Sequence, residues 1–151
     1  MFRGIHQVSV DIKGRMSLPA RLRDELAQYE DDSVVVTIDP GSKCLLLYPL
    51  VEWDQIQQKL DKLPSFQPQA RRLQRLLVGH ATDLDVDKAG RILLPAPLRE
   101  FAGLDRKVTL LGQGKKLEIW SQDEWESQRD EYLSQESLDE LQPEIMMDIS
   151  L

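Results

Sequence analysis

The chain has one cysteine, two histidines and no long apolar run, and each shortage removes a class of protein. A lone Cys44 cannot close an internal disulfide and suits a reducing compartment. His6 and His80 are far apart and lack metal-ligand spacing, so neither a metal nor another cofactor is expected. The longest apolar candidate, residues 44–48, is strand-sized, well short of the roughly 20 residues a membrane helix needs. The start, M-F-R-G-I-H-Q-V, has no apolar leader core, and the expected location is cytoplasmic. G-Q-G-K-K at 112–116 is too short for a phosphate-cradling loop and reads as a hairpin turn. Asp83, Asp85 and Asp87 imitate the opening of a calcium loop, yet Lys88 stands where glycine is required and Leu94 where the closing glutamate belongs. Leu84 and Val86 between them make a strand with one acidic face instead. With Cys44 set in an apolar strand and no base placed to activate it, an enzyme is not expected.

Basic residues are nearly absent from the C-terminal end. Residues 121–151 hold ten acids against Arg129 alone, whereas residues 1–120 hold 18 bases and 16 acids. The net charge of −7 therefore belongs to the tail. Residues 1–23 carry five bases (Arg3, Lys13, Arg15, Arg21, Arg23) against Asp11. A polyanion is steered by the local field rather than by the total charge, so an acidic chain can still have a basic working face.

What the chain does have is a repeat. D-I-K-G-R-M-S-L-P-A-R-L-R, beginning at Asp11, returns as D-K-A-G-R-I-L-L-P-A-P-L-R, beginning at Asp87, with eight of thirteen positions identical at an offset of 76. Val34 to Ile38 matches Val108 to Gly112, Leu45 to Tyr48 matches Leu117 to Trp120, and Trp53 matches Trp125. Each copy spans roughly 45 to 50 residues, small for a unit that must bury its own core, so two copies sharing one core is the expectation. The expected organisation is a first repeat at 5–52, a helical linker at 53–80, a second repeat at 81–125 and an acidic tail at 126–151.

Val8, Val10 and Ile12 alternate with polar residues as in a half-buried strand, Lys13-Gly14 reads as a two-residue turn, and Met16 and Leu18 resume the alternation. Pro19 suits the first turn of a short helix. Ser33 to Ile38 and Cys44 to Tyr48 read as strands around a Pro40-Gly41 turn. Pro49 opens a helix with Trp53, Ile56, Leu60 and Leu63 at helical spacing, and Gln69 to Val78 forms another with Arg71, Arg72 and Arg75 on its outer side. Ser121 and Glu124 have capping-box spacing ahead of Trp125. The tail from Ser134, with spaced Leu138, Leu141, Ile145 and Ile149, reads as partly ordered, able to pack on a neighbouring subunit. The predicted class is mostly β with flanking helices (α+β).

Asp and Arg across a tight hairpin are close enough to pair, Asp can accept turn N–H groups, and glycine supplies the positive φ. The same residues suffice for a turn with an exposed ion pair that stabilises little. They also suffice to aim a guanidinium fork at a guanine edge or a phosphate.

A resemblance separates these readings. M-F-R-G, the motif from Asp11, C-L-L-L-Y-P-L-V-E-W, R-R-L-Q-R-L-L-V-G-H-A and D-K-A-G-R-I-L-L-P resemble the MraZ family of bacterial transcription regulators, from Met1 to about Trp125. Each repeat is also similar to SpoVT-AbrB DNA-binding modules. The resemblance implies a tandem-repeat swapped-hairpin β-barrel with pseudo-two-fold symmetry. It implies that Arg15 and Arg91 contact DNA while Asp11 and Asp87 orient them; Lys13, Arg3 and Lys88 are further DNA-contact candidates. Ala89 in place of Lys13 and Pro97 in place of Arg21 suggest a less basic second hairpin, and so a dominant first repeat. Arg23 and Arg99 recur in both copies but lie on the short helix, where a structural pairing with neighbouring acids stands as an alternative to a DNA contact. The implied partners are double-stranded promoter DNA with tandem repeats and further copies of the chain in a ring; the implied role is repression of its own promoter and the downstream division and cell-wall gene cluster, at the nucleoid. The competing reading is a protein-interaction scaffold of the antitoxin kind, gripping a partner with its tail.

Overall fold

Alternation of apolar residues decides which strands lie inside. In the computed structural model, which describes residues 1–30, 32–141 and 143–150, the first repeat contains β1 (Ile5–Ser9), β2 (Arg15–Ser17), α1 (Ala20–Leu26), β3 (Ser33–Ile38) and β4 (Leu45–Pro49). Two helices follow, α2 (Leu50–Asp61) and α3 (Pro68–His80). The second repeat supplies β5 (Thr82–Asp85), β6 (Arg91–Leu93), α4 (Ala96–Ala102), β7 (Lys107–Gly112) and β8 (Leu117–Ser121). Helices α5 (Gln122–Tyr132), α6 (Gln135–Asp139) and α7 (Pro143–Asp148) complete the described chain. Gln142 and Leu151 of the acidic tail lie outside the described residues.

Six strands form one antiparallel sheet in the order β1-β7-β8-β4-β3-β5, and β2 and β6 form a separate two-stranded ribbon. The first strand of each repeat pairs with the third strand of the other: β1 with β7, and β5 with β3. The ribbon likewise joins one strand of each repeat, with Met16 opposite Ile92. The fold is α+β with a mostly antiparallel sheet, and β1 and β5 stand at its two edges.

The central strands are buried on both faces, as their β-branched and leucine-rich sequences require. Val34, Val36, Ile38, Leu45, Leu47, Val108, Leu110, Leu117 and Ile119 turn one way, into a core closed by Met16 and Ile92 of the ribbon and by Leu22 and Leu98 of the short helices. Val35, Leu46, Tyr48, Leu111 and Trp120 turn the other way, against Trp53, Leu60, Leu73 and Leu77 of α2 and α3. Thr37, fully buried, donates to the Leu77 carbonyl at 2.6 Å and pins α3 to the sheet. Thr109 donates to Gln7 at 2.9 Å and ties β7 to the edge strand β1. Ser121 accepts the Glu124 N–H at 3.4 Å, half of the expected capping box, while Glu124 pairs with Lys43. Trp125 then packs edge-on against Trp120, with ring centroids 5.6 Å apart. Helices α5, α6 and α7 bury no residue fully.

Two sequence expectations change. The β1 strand stops at Ser9, and only an isolated bridge, Val10 to Met16, continues toward the turn. Ile12, expected on the half-buried face of that strand, lies in the loop with 98% of its surface exposed. The loop itself holds three residues rather than two. Gly14 N–H donates to the Asp11 carbonyl at 3.0 Å and Asp11 N–H to the Arg15 carbonyl at 2.9 Å, the pattern of a type I turn followed by a left-handed glycine.

Candidate nucleic-acid interface

Each hairpin tip is built by one carboxylate. Asp11 Oδ1 accepts the backbone N–H groups of Lys13 and Arg15, each at 2.9 Å, and Oδ2 accepts Arg15 Nε at 2.9 Å. Asp87 does the same for Ala89 and Arg91 at 2.9 Å and for Arg91 Nε at 3.1 Å. The Nε contact fixes the guanidinium plane, and among the described residues neither arginine has a hydrogen bond from its terminal Nη groups. A planar fork held by its root and open at its end suits bidentate recognition of a base edge or a phosphate. Both carboxyls are held below the ordinary 3.8, first by the backbone N–H of Arg15 or of Arg91, with the arginine side chain adding to it.

Glycine closes each tip from below. Gly14 has φ +91° and Gly90 has φ +77°, conformations that side chains resist. Both are buried, each beneath an arginine of the other repeat: Arg99 lies over Gly14 and Arg23 over Gly90. The Gly14 carbonyl accepts Leu94 N–H at 2.9 Å, and the Gly90 carbonyl accepts Leu18 N–H at 2.9 Å. Arg99 Nε also donates to the Leu94 carbonyl at 3.0 Å. Among the described residues, neither Arg23 nor Arg99 forms an ion pair with an acid, the structural alternative that the sequence left open. The sequence offered no signal for this exchange beyond their recurrence in both copies, because the partner glycine lies in the opposite repeat.

The surroundings follow the same exchange. A groove beside the first tip is lined by Val10, Asp11, Ile12, Arg99, Asp105 and Arg106. Beside the second, Arg23, Asp32, Val86, Asp87, Lys88 and Gly90 line a groove of their own. Arg99 and Arg106, from the second repeat, therefore supply the first tip with cations that sequence reading did not assign to it. Lys13 and Lys88 are both exposed at the tips. One lysine per tip means that Lys88 restores what Ala89 removes, so the second hairpin is not less basic at its tip. Arg3 stands apart from both, in a groove with Met1, Arg21, Leu22 and Glu25, whose carboxyl is held down first by the chain's own ammonium group.

Other polar clusters are occupied. Asp39, Cys44 and Glu118 place ligand-type atoms within 4.8 Å of one another, but Asp39 accepts the Gly41 N–H and the Cys44 thiol, and Glu118 accepts Trp120 Nε1. Burial pushes the Cys44 thiol far above its ordinary value, which leaves it a poor nucleophile. Among the described residues, no helix is long and apolar enough to cross a membrane.

Sheet order and tips together define a duplicated α+β module that presents two alike, carboxylate-clamped arginines. The chain belongs to the MraZ family: the MraZ protein family model matches twice, over residues 1–76 and 77–146. It is similar over its whole length to a protein of Marinomonas sp. (strain MWYL1) named transcriptional regulator MraZ, at 83% identity across 100% of both chains. Proteins of the same name from Coxiella burnetii (strain Dugway 5J108-111) and Legionella pneumophila (strain Corby) are 50% and 48% identical, covering 96% and 100% of this chain and 97% and 100% of theirs. These are transcriptional regulators, and the family is not one of enzymes.

Proposed function

We propose that the chain is a sequence-specific DNA-binding transcriptional repressor that occupies its own promoter. The observation that carries this reading is the pair of clamped arginines, Arg15 and Arg91, each held by Nε at a rigid exposed tip with its fork open. Arg15 and Arg91 reach base edges or phosphates, Asp11 and Asp87 aim them, and Lys13, Lys88 and Arg3 add phosphate contacts. The exchange of strands between repeats supports reading the sheet and ribbon as a swapped-hairpin barrel with pseudo-two-fold symmetry. One barrel offers few base contacts, so useful affinity requires several. A ring of copies meeting tandem promoter repeats supplies them by effective concentration. The regulated genes are then its own and the division and cell-wall cluster downstream, and the protein sits on the nucleoid.

The test is fluorescence anisotropy on a duplex taken from the DNA upstream of its own gene, at stated salt. Tight binding that falls steeply with salt is expected. Arg15→Ala should weaken specific binding about a hundredfold while fold and oligomer persist, and unchanged binding overturns the arginine assignment. The exposed apolar side chains of the acidic tail (Leu141, Ile145, Met147) favour one other reading, a scaffold that grips a protein partner. That reading gains if the wild-type chain shows no preference for the upstream duplex over random DNA.

A further inference from the structure

We propose that Ile12 reads a thymine methyl group in the major groove, which makes it a specificity-determining residue of the first tip; this rests on the DNA reading above. Ile12 is 98% exposed, so folding gains almost nothing from its side chain. Turn chemistry does not ask for it either: tips favour Gly, Pro, Asn, Asp and Ser, and β-branched residues favour strands. An isoleucine that serves neither core nor turn is placed for something outside the chain.

Its setting is rigid. The flanking Asp11 carboxylate holds the N–H groups of Lys13 and Arg15, and the Gly14 N–H closes the loop onto the Asp11 carbonyl. A β-branched side chain is stiff at χ1, so the apolar group projects in one direction from a fixed backbone. Cations outnumber acids around it: Lys13 and Arg15 on its own loop and Arg99 and Arg106 across the groove that it lines, against Asp11 and Asp105. Those cations draw the tip onto a polyanion. Phosphates and most base edges there offer polar partners; the thymine 5-methyl is the apolar feature of the major groove that a branched aliphatic side chain fits. At the same position the second tip carries Lys88, which suits a phosphate, so the methyl reading belongs to the first tip alone.

The experiment compares the upstream duplex with the same duplex carrying uracil in place of thymine. Every phosphate and Watson–Crick edge is kept, and only methyl groups are removed. Wild-type chain should bind the uracil duplex more weakly, by about fourfold for each methyl-sized group no longer buried. Ile12→Ala should bind the thymine duplex more weakly by a similar factor and no longer distinguish the two. Ile12→Lys, which copies the second tip, should also lose the distinction while binding both duplexes. The proposal is overturned if wild-type chain is indifferent to uracil, or if Ile12→Ala keeps the full thymine preference. Absence of any binding by wild-type chain overturns the DNA reading as well. Retained binding by Arg15→Ala, with the methyl effect intact, overturns the arginine assignment and leaves Ile12 standing.

Discussion

The two hairpin tips share a clamp and differ in what the clamp presents. Asp11 and Asp87 take equivalent donors at nearly equal distances, and Gly14 and Gly90 adopt the same left-handed turn under an arginine of the opposite repeat. Between them, however, Ile12-Lys13 becomes Lys88-Ala89. Duplication has kept the residues that set geometry and varied those that face outward. The two tips are thereby alike in shape and different in surface chemistry. The first tip has Ile12 exposed with Arg99 and Arg106 beside it; the second has Lys88 in that place, with Arg23 beside it.

The largest expected effect breaks this asymmetry if it is wrong. Arg15→Ala should weaken binding to the upstream duplex about a hundredfold and Arg91→Ala about tenfold, within the 1–3 kcal/mol that a bidentate base contact contributes. Equal losses in anisotropy titrations would make the tips equivalent, and a larger loss at Arg91 would reverse them.

The glycines test the part that is shared. A Cβ at Gly14 would meet both the Arg99 guanidinium and the Leu94 carbonyl oxygen at 2.9 Å, and backbone cannot swing away. At Gly90 the three nearest atoms all belong to the exposed Arg23 side chain, which can move aside. Left-handed alanine alone costs about 1–2 kcal/mol, so Gly90→Ala should lose about that and Gly14→Ala about 2–3 kcal/mol in urea unfolding. The reverse order would show that Arg23 is held more firmly than its exposure suggests.

A smaller effect separates the grooves. Arg99→Ala and Arg23→Ala each remove one cation beside a tip, and each should reduce the slope of log affinity against log salt by about one if it meets a phosphate. An unchanged slope for either would restrict that arginine to packing over its glycine.

Much of this was legible in the sequence, for identifiable reasons. The strands β3 and β4 announced themselves by their β-branched and apolar residues, and β7 and β8 by their match to them across the repeat. The clamp was legible because Asp, Gly and Arg at fixed spacing constrain one short loop. Two things were not. Ile12 continued an alternating pattern, and periodicity cannot tell where a strand stops when the next residue is apolar. The covering of Gly14 by Arg99 and of Gly90 by Arg23 joins residues more than sixty positions apart, and nothing local encodes it.

The smallest effect concerns pH and tests whether the clamps are equal. Both carboxyls titrate below their ordinary value when folded, because backbone and side-chain donors of the following arginine favour the charged form. A depressed folded value means that the stabilisation is complete above the unfolded value, near about 3.9, and is lost as pH falls through the lower folded value. Between pH 7 and 5, roughly, neither clamp should contribute any change in stability. Below about pH 4 the clamps release, and Asp11→Asn or Asp87→Asn should each flatten part of the acid decline in the thermal midpoint. Because the donors are the same, the two variants should flatten it alike. If Asp11→Asn has the larger effect, the extra arginines beside the first tip, Arg99 and Arg106, reach its carboxylate as well as the partner it serves.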